Sequence, residues 1–423
     1  MKIDKIFAYW VLDSRGKPTV ACKSFCGEYS AIAMVPSGAS TGSREALELR
    51  DHDAKFFGYG VEKAVKNVNE ILAPLVLNHD LLHLQKIDQA MISEDGTQNK
   101  SNLGANAILA VSLSLAKLGA LVSKKSLYEY LGELYGFEPD DRLPTPFMNI
   151  VNGGSHAKNG LDFQEFMIVP NGAHTFSDAV RMGAEIYMTL GKMLKSSGVG
   201  DEGGYSPTNF NSEKGQDRVV EILETLVYAI TDSGYVPGKD VSLAMDVAAS
   251  VFYNNNQYIL KGNQILNSVQ LINFYGELVN KYPLIAIEDG LSEDDYPGWI
   301  ELNGQLGAKI AIVGDDLFTT NTKELQKGIR EKSANAVIVK VNQIGTLTET
   351  VNFIKLAKEN QFKTIISNRS GETEDTTIAD LAMAFNAGYI KTGSLARSER
   401  TAKYNRLLEI EQELGSKAKY GVK

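Results

Sequence analysis

The stretch from Val241 to Lys391 decides the fold. It contains VSLAMD (Val241–Asp246), LIAIED (Leu284–Asp289), IAIVGDD (Ile310–Asp316), AVIVK (Ala336–Lys340), TIISNRS (Thr364–Ser370) and YIKTG (Tyr389–Gly393). Each is a short apolar run that ends in, or just before, a charged or strongly polar residue. Segments of helix length lie between them, such as Thr322–Lys332 and Leu347–Asn360. Apolar runs alternating with helical segments predict βα units around a parallel sheet buried on both faces. Polar residues gathered at the carboxyl ends of successive parallel strands are what a βα barrel enzyme places at its mouth.

On any one strand, a terminal charge only marks where a buried segment meets water. That explanation predicts a haphazard order of charges. Here the acids come first (Asp246, Glu288, Asp315) and the cations last (Lys340, Arg369, Lys391). Acids on one side and amines on the other suit a divalent metal facing an anion, and the functional reading is preferred.

At 423 residues the chain is long enough for two domains, one of them a barrel of about 250 residues. A hydrophobic share of 43% with 22% charged residues is that of a soluble globular enzyme. A net charge of −9 argues against nucleic acid or a membrane surface as the main partner, so an anionic substrate must be met by local cations or metal. Cys22 and Cys26 give no disulfide framework and suit a reducing compartment. MKIDKIFAYWVLDSRG has no long apolar core of the kind a signal peptide needs, and no stretch is read as membrane-spanning, so a cytoplasmic protein is expected.

Working outward, Lys2 to Val35 alternates loosely and is broken by the turn-like Asp13–Gly16, which predicts a β-meander. VPSGASTGSREALELRD follows, with small flexible residues from Pro36 to Ser43 and then a helix-forming run. Its composition suits a plain connector or a mobile lid with hydroxyls and carbonyls open to a hard cation. Val61 to Leu134 is expected to be helical throughout, with a tightly packed buried helix from Gly104. FEPDDRLPTP (Phe137–Pro146) holds three of the 11 prolines, which places a boundary between domains 1–136 and 137–423. Beyond it, MNIVNGGSHAKNGLDFQEFMIVP predicts two strands around a Gly-rich loop that carries His156. Gln164 and Glu165 lie in an otherwise apolar strand, where one of the two must point inward and a buried acid needs a partner or a role. An amphipathic helix is expected over 177–197, then Asp201 and Glu202 on a tight glycine loop, and a last helix over 403–414 with a basic tail.

The chemistry follows from residue type. Asp246, Glu288 and Asp315 are hard oxygen ligands of the kind Mg²⁺ accepts. Lys340 and Lys391 face them, and a lysine beside cations and away from water is expected to have a depressed pKa and to act as a base. Arg369 and Ser370 offer a fork for phosphate or carboxylate. Glu165 and Glu202 form a candidate acid pair. Together these suit removal of a proton next to a carboxylate and expulsion of a hydroxyl as water. Each charge pair at 4 Å is worth about 4 kcal/mol at an effective dielectric of 20.

The sequence resembles the enolase family almost end to end. The matching stretches are LDSRG, VPSGASTGSREALELRD, GANAILAVS, NGGSHA, QEFMI, GDEGGYSP, LAMDVAAS, AIEDGLSEDD, VGDDLF, VIVKVNQIGTLTET, RSGETEDTTIADLA and IKTGSLARSERTAKYN. The resemblance implies an α/β fold, with an N-terminal α+β domain capping a TIM-like barrel whose first units depart from regular βα order. It implies reversible dehydration of 2-phospho-D-glycerate to phosphoenolpyruvate in glycolysis and gluconeogenesis, with two Mg²⁺ per site, the second arriving with the substrate. By position it makes Asp246, Glu288 and Asp315 the ligands of the first Mg²⁺, with Ser40 bringing the second. It makes Lys340 the base at C2 and Glu202 the acid at the C3 hydroxyl, with Glu165 beside it. Arg369 and Ser370 become phosphate binders, Lys391 the carboxylate-side cation, and Gln164 and His156 further substrate contacts. A homodimer or homo-octamer is also implied, with no nucleic acid and no membrane insertion.

Three departures stand out. Asn368 replaces the histidine the family carries before Arg-Ser, and a carboxamide hydrogen-bonds but cannot carry charge. Lys17 stands where the family has Asn, and the loop Gly200–Asn211 is compressed after Pro207. Asn368 also leaves room for an alternative, a divergent paralogue of reduced activity displayed or secreted at the cell surface as a plasminogen binder through Lys423.

Overall fold

The computed structural model describes residues 1–423 apart from 40, 195–197 and 423, so Ser40 and Lys423 lie outside the described residues. Strands Lys5–Leu12, Pro18–Cys26 and Tyr29–Met34 form the expected antiparallel meander. Gly16, at a φ of +72°, turns the first hairpin, and Asp13 Oδ1 accepts from the Arg15 and Lys17 amides at 2.8 and 2.9 Å. Alternation then sends Ile6, Ala8, Val20, Cys22, Ala31 and Ala33 to one buried face.

Helix Ala105–Val122 packs on that face. Its alanines let it approach closely, and Ser24 and Ser114 join across the contact at 2.7 Å. At 18 residues it is long and apolar enough to cross a membrane, which corrects the expectation that no stretch reaches that length. Its side chains are spent inside the protein, where 83% of the segment is buried.

Two helix expectations fail nearby. Residues 44–51 carry strong helix formers but form a turn followed by irregular chain, because other elements claim their backbone. The Ala46 amide donates to the Gln343 carbonyl (2.8 Å), Leu47 to Asn99 (2.8 Å), and Leu49 exchanges hydrogen bonds with the Asn106 side chain (3.1 Å each way). Tertiary partners outweigh a propensity worth tenths of a kcal/mol per residue. Residues 61–134 are likewise not one helical run. Non-helical backbone interrupts them around Leu77–Asp80 and again from Gly96 (φ +69°) to Gly104 (φ +95°).

The C-terminal part closes into an eight-stranded barrel. Going round, the strands are Thr145–Asn152, Glu165–Val169, Ser242–Asp246, Leu284–Glu288, Ala311–Gly314, Ala336–Val339, Lys363–Ser367 and Gly388–Lys391. Seven run the same way. Glu165–Val169 is antiparallel to both its neighbours. Inward positions carry Phe147, Met167, Val169, Ala244, Ala286, Ala311, Val313, Ala336, Ile338 and Ile365, a filled interior in which small and large side chains interleave. With that interior filled, the polar strand ends are left at the rim.

Candidate active site

The reversed strand is what assembles the site. Because it runs backwards, its first residue, Glu165, sits at the same mouth as the last residues of its neighbours and pairs in register with Asp246. Asp246 in turn pairs with Glu288 on the next strand. Lys391, the last residue of its strand, reaches all three carboxylates, at 2.9 Å to Asp246, 2.8 Å to Glu288 and 3.2 Å to Glu165. Lys340, just past its strand, pairs directly with Asp315.

Nine of the residues singled out from the sequence line one cavity at this mouth: His156, Gln164, Glu165, Glu202, Asp246, Lys340, Arg369, Ser370 and Lys391. Glu288 and Asp315 join it through the two lysines. Gln164 Nε2 donates to Asp246 Oδ2 at 3.4 Å. His156, on a single helical turn in the loop before the reversed strand, has Nδ1 3.6 Å from Glu165 Oε1. Glu202 arrives on the glycine loop and accepts from Asn149 at 3.3 Å. Gly203 must be glycine, since at its φ of +83° a Cβ would lie 2.4 Å from the Ala396 carbonyl oxygen.

Burial and neighbouring charge set the protonation states. Burial, then the Glu202 carboxylate, push the Glu165 carboxyl well above the usual range. Burial opposes ionisation of Glu202 too, but the charges of His156, Arg400 and Lys391 override it and hold that carboxyl at about 2. The two carboxyls are thus pushed in opposite directions, Glu165 towards keeping a proton and Glu202 towards losing one. Burial lowers the His156 imidazole. Burial also works against the Lys391 ammonium, but Asp246, Glu165 and Glu288 keep it charged, well above the lysine range.

Lys340 corrects the sequence reading. A depressed pKa is expected there, and burial does push the ammonium down, but the Asp315 carboxylate, with Glu288 adding to it, leaves the lysine raised. The lysine is the cationic partner of Asp315.

The acid trio Asp246, Glu288 and Asp315 lies on three consecutive strands of this mouth, but split between two lysines. Among the described residues, the groups whose ligand atoms come within 4.8 Å of one another are His156, Glu165 and Glu202, and separately Asp289, Asp315 and Asp316. In the second group both Asp289 oxygens are committed, accepting from the Asp315 and Asp316 amides at 2.9 Å each. The donor chemistry around the mouth, hard carboxylates already holding cations, fits a divalent metal.

Arg369 forks onto Glu45, at 2.9 and 3.2 Å, and also reaches Asn342 at 3.3 Å. Asn368 is buried, its amide nitrogen donating to the Lys391 carbonyl at 3.1 Å and its oxygen accepting from Arg400. An uncharged side chain therefore satisfies both contacts.

Sequence reasoning missed Glu45 and Gln343. Gln343 accepts from Thr320 Oγ1 at 2.7 Å and donates to Asp315 Oδ1 at 2.8 Å, orienting that carboxylate. Nothing in a lone sequence separates such residues from other polar loop positions.

Comparison with known families agrees with this geometry. A family model for the enolase C-terminal TIM barrel domain matches residues 140–423, and one for the enolase N-terminal domain matches residues 3–131. A barrel with one reversed strand, a rim of acids and lysines, and family matches over both parts lead to one conclusion: the chain belongs to the enolase family.

Proposed function

We propose that the chain catalyses the reversible dehydration of 2-phospho-D-glycerate to phosphoenolpyruvate, with Mg²⁺ as its cation. The observation that carries the reading is the lining of a single cavity, which gathers a lysine beside the acid rim, the carboxyl pair Glu165 and Glu202, and an Arg-Ser anion fork. Family membership implies use of a divalent metal, and the donor set fits one.

In this reading Arg369 and Ser370 hold the phosphate, and Lys391, Gln164 and His156 receive the rest of the substrate. Lys340, once deprotonated, takes the C2 proton, and the electron pair passes towards the carboxylate. The Glu165–Glu202 pair holds the proton that departs with the C3 hydroxyl as water, leaving the C2–C3 double bond of the product. Asp246, Glu288 and Asp315 are the residues that would hold a divalent cation, which would supply positive charge against the enolate dianion; Asp315, once a ligand, would no longer favour the protonated form of Lys340. Ser40, assigned to the second cation by resemblance, lies outside the described residues.

The test is the rise of ultraviolet absorbance from phosphoenolpyruvate when purified protein meets 2-phosphoglycerate and Mg²⁺. The signal is expected to vanish with EDTA and return with excess Mg²⁺. No signal at high enzyme concentration, or one indifferent to EDTA, would refute the reading.

A further inference from the structure

We propose that Arg15, in the first hairpin of the N-terminal sheet, is a positioning residue that turns Ser370 into an obligate hydrogen-bond donor to an anionic oxygen of the substrate. The proposal rests on reading this mouth as a phosphate site.

A serine hydroxyl has one proton and two lone pairs. Ser370 is buried and lines the cavity, and both of its lone pairs are taken. The Ala39 amide donates to Ser370 Oγ at 2.7 Å, and Arg15 Nη1 donates to the same oxygen at 3.3 Å. Only the hydroxyl proton is left to offer. An acceptor in the cavity, such as a phosphate oxygen, therefore meets a hydroxyl that need not reorient.

Arg15 is held for this task. Its Nη2 donates to Ser37 Oγ and to the Ser37 and Gly38 carbonyls at 3.2 Å each, and to Asp13 Oδ2 at 3.4 Å. One guanidinium thus ties the start of the Pro36–Ser43 loop to the anion fork. The two N–H groups of Nη2 are shared among these acceptors while Nη1 is left for Ser370, a division that the fixed plane of a guanidinium supplies and the freely rotating ammonium of a lysine does not. The fit is close, since a Cβ on Gly371 would stand 2.6 Å from Arg15 Nη2 and 2.5 Å from Asp13 Oδ2. Ser14 reinforces it by donating to the Ser370 carbonyl at 3.3 Å.

A residue that acts through another shows it by non-additivity. In Mg²⁺-dependent turnover of 2-phosphoglycerate, Ser370→Ala is expected to raise KM about 10- to 100-fold, the worth of a hydrogen bond to a charged group. Arg15→Gln should raise it about 5- to 10-fold, with kcat moving less, and Arg15→Lys should fall between that variant and wild type. The inhibition constant of inorganic phosphate should follow KM. The double variant Arg15→Gln/Ser370→Ala should be no worse than Ser370→Ala alone. Independent, multiplying effects would overturn the assignment, and so would an unchanged KM in Arg15→Gln. If that variant does not fold, as judged by near-ultraviolet circular dichroism, Arg15→Lys takes its place in the cycle. If wild type fails to turn over 2-phosphoglycerate, the functional reading falls instead. The cycle is then run on calorimetric binding of inorganic phosphate, where additive effects, or no measurable binding, would still overturn the role of Arg15.

Discussion

The barrel mouth and the seam between the N-terminal helices and the barrel both bury lysines against carboxylates, and they do so on different terms. At the barrel mouth, three acids crowd around the single ammonium of Lys391, and burial with mutual repulsion pushes Glu165 and Glu288 well up. At the seam where the N-terminal helices meet the barrel's outer layer, Lys100 pairs with one acid, Glu349, at 3.0 Å. The other polar groups of the seam serve the start of helix Leu347–Glu359. Its first amides donate to Ser112 Oγ (3.1 Å), Asp88 Oδ2 (3.0 Å) and Thr346 Oγ1 (3.1 Å), so residues from the N-terminal part cap a helix of the barrel layer. At the seam polar groups complete a structure, while at the mouth acids exceed what the structure needs. That excess of unreconciled charge marks a site for binding cations and moving protons.

The contrast can be broken or sharpened by substitution. The largest effect is expected at the mouth. Lys340→Ala should lower kcat on 2-phosphoglycerate by about 10³-fold or more, within the range for loss of a positioned general base, with the far-ultraviolet spectrum unchanged. Retention of a tenth of the activity would remove Lys340 from the proposed chemistry.

At the seam the readout is stability. Burial pushes the Asp88 carboxyl up to about 6 from 3.8, with the Thr348 and Ser112 hydrogen bonds only partly opposing it. The folded protein therefore holds this proton more tightly than the unfolded chain does. The stability it adds is fully present below about pH 4 and lost as pH rises through about 6, a change of about 3 kcal/mol. Asp88→Asn does not titrate, so its unfolding free energy relative to wild type should rise by that amount between pH 4 and pH 7. A flat difference would mean that Asp88 is ionised in the fold.

Lys100→Met tests the paired lysine. Glu349 keeps 28% of its side-chain surface and can rehydrate, so the loss should be about 2 kcal/mol in denaturant unfolding, below the cost of stranding a fully buried charge. Turnover should be unchanged. A loss of activity without a loss of stability would join the seam to the site.

The smallest effect is expected at Asn368. A neutral histidine there has one N–H to offer the Lys391 carbonyl and one acceptor nitrogen to offer Arg400. A protonated one cannot accept from Arg400 and is repelled by it. Asn368→His should therefore stay within about threefold of wild-type turnover above pH 7 and lose activity below it, near the ordinary imidazole range. A pH profile overlaying that of wild type would show that this position does not reach the chemistry.

Much of the barrel was legible because its evidence is local. Runs such as IAIVGDD and AVIVK are strands by composition, and the order of their terminal charges already separates acids from amines. Helices with a clear apolar period appeared close to where they were expected, as with Leu347–Glu359. The non-helical path of 44–51 was not legible, because its partners Gln343, Asn99 and Asn106 lie far along the chain. Nor was the reversal of Glu165–Val169, since a strand reads the same in either direction. Nor was the pairing of Lys340 with Asp315, since no spacing in the sequence says how close the two stand.

By itself the sequence determined which residue types reach the rim, in what order, and hence which family the chain belongs to. Those properties follow from side-chain chemistry and from the period of two along a strand. Only the tertiary structure decided which acid holds a proton, which lysine is paired, and which distant residues, Arg15, Glu45 and Gln343 among them, hold the site in shape. Those depend on distance and on exclusion of water, and they arise only when segments hundreds of residues apart are packed together.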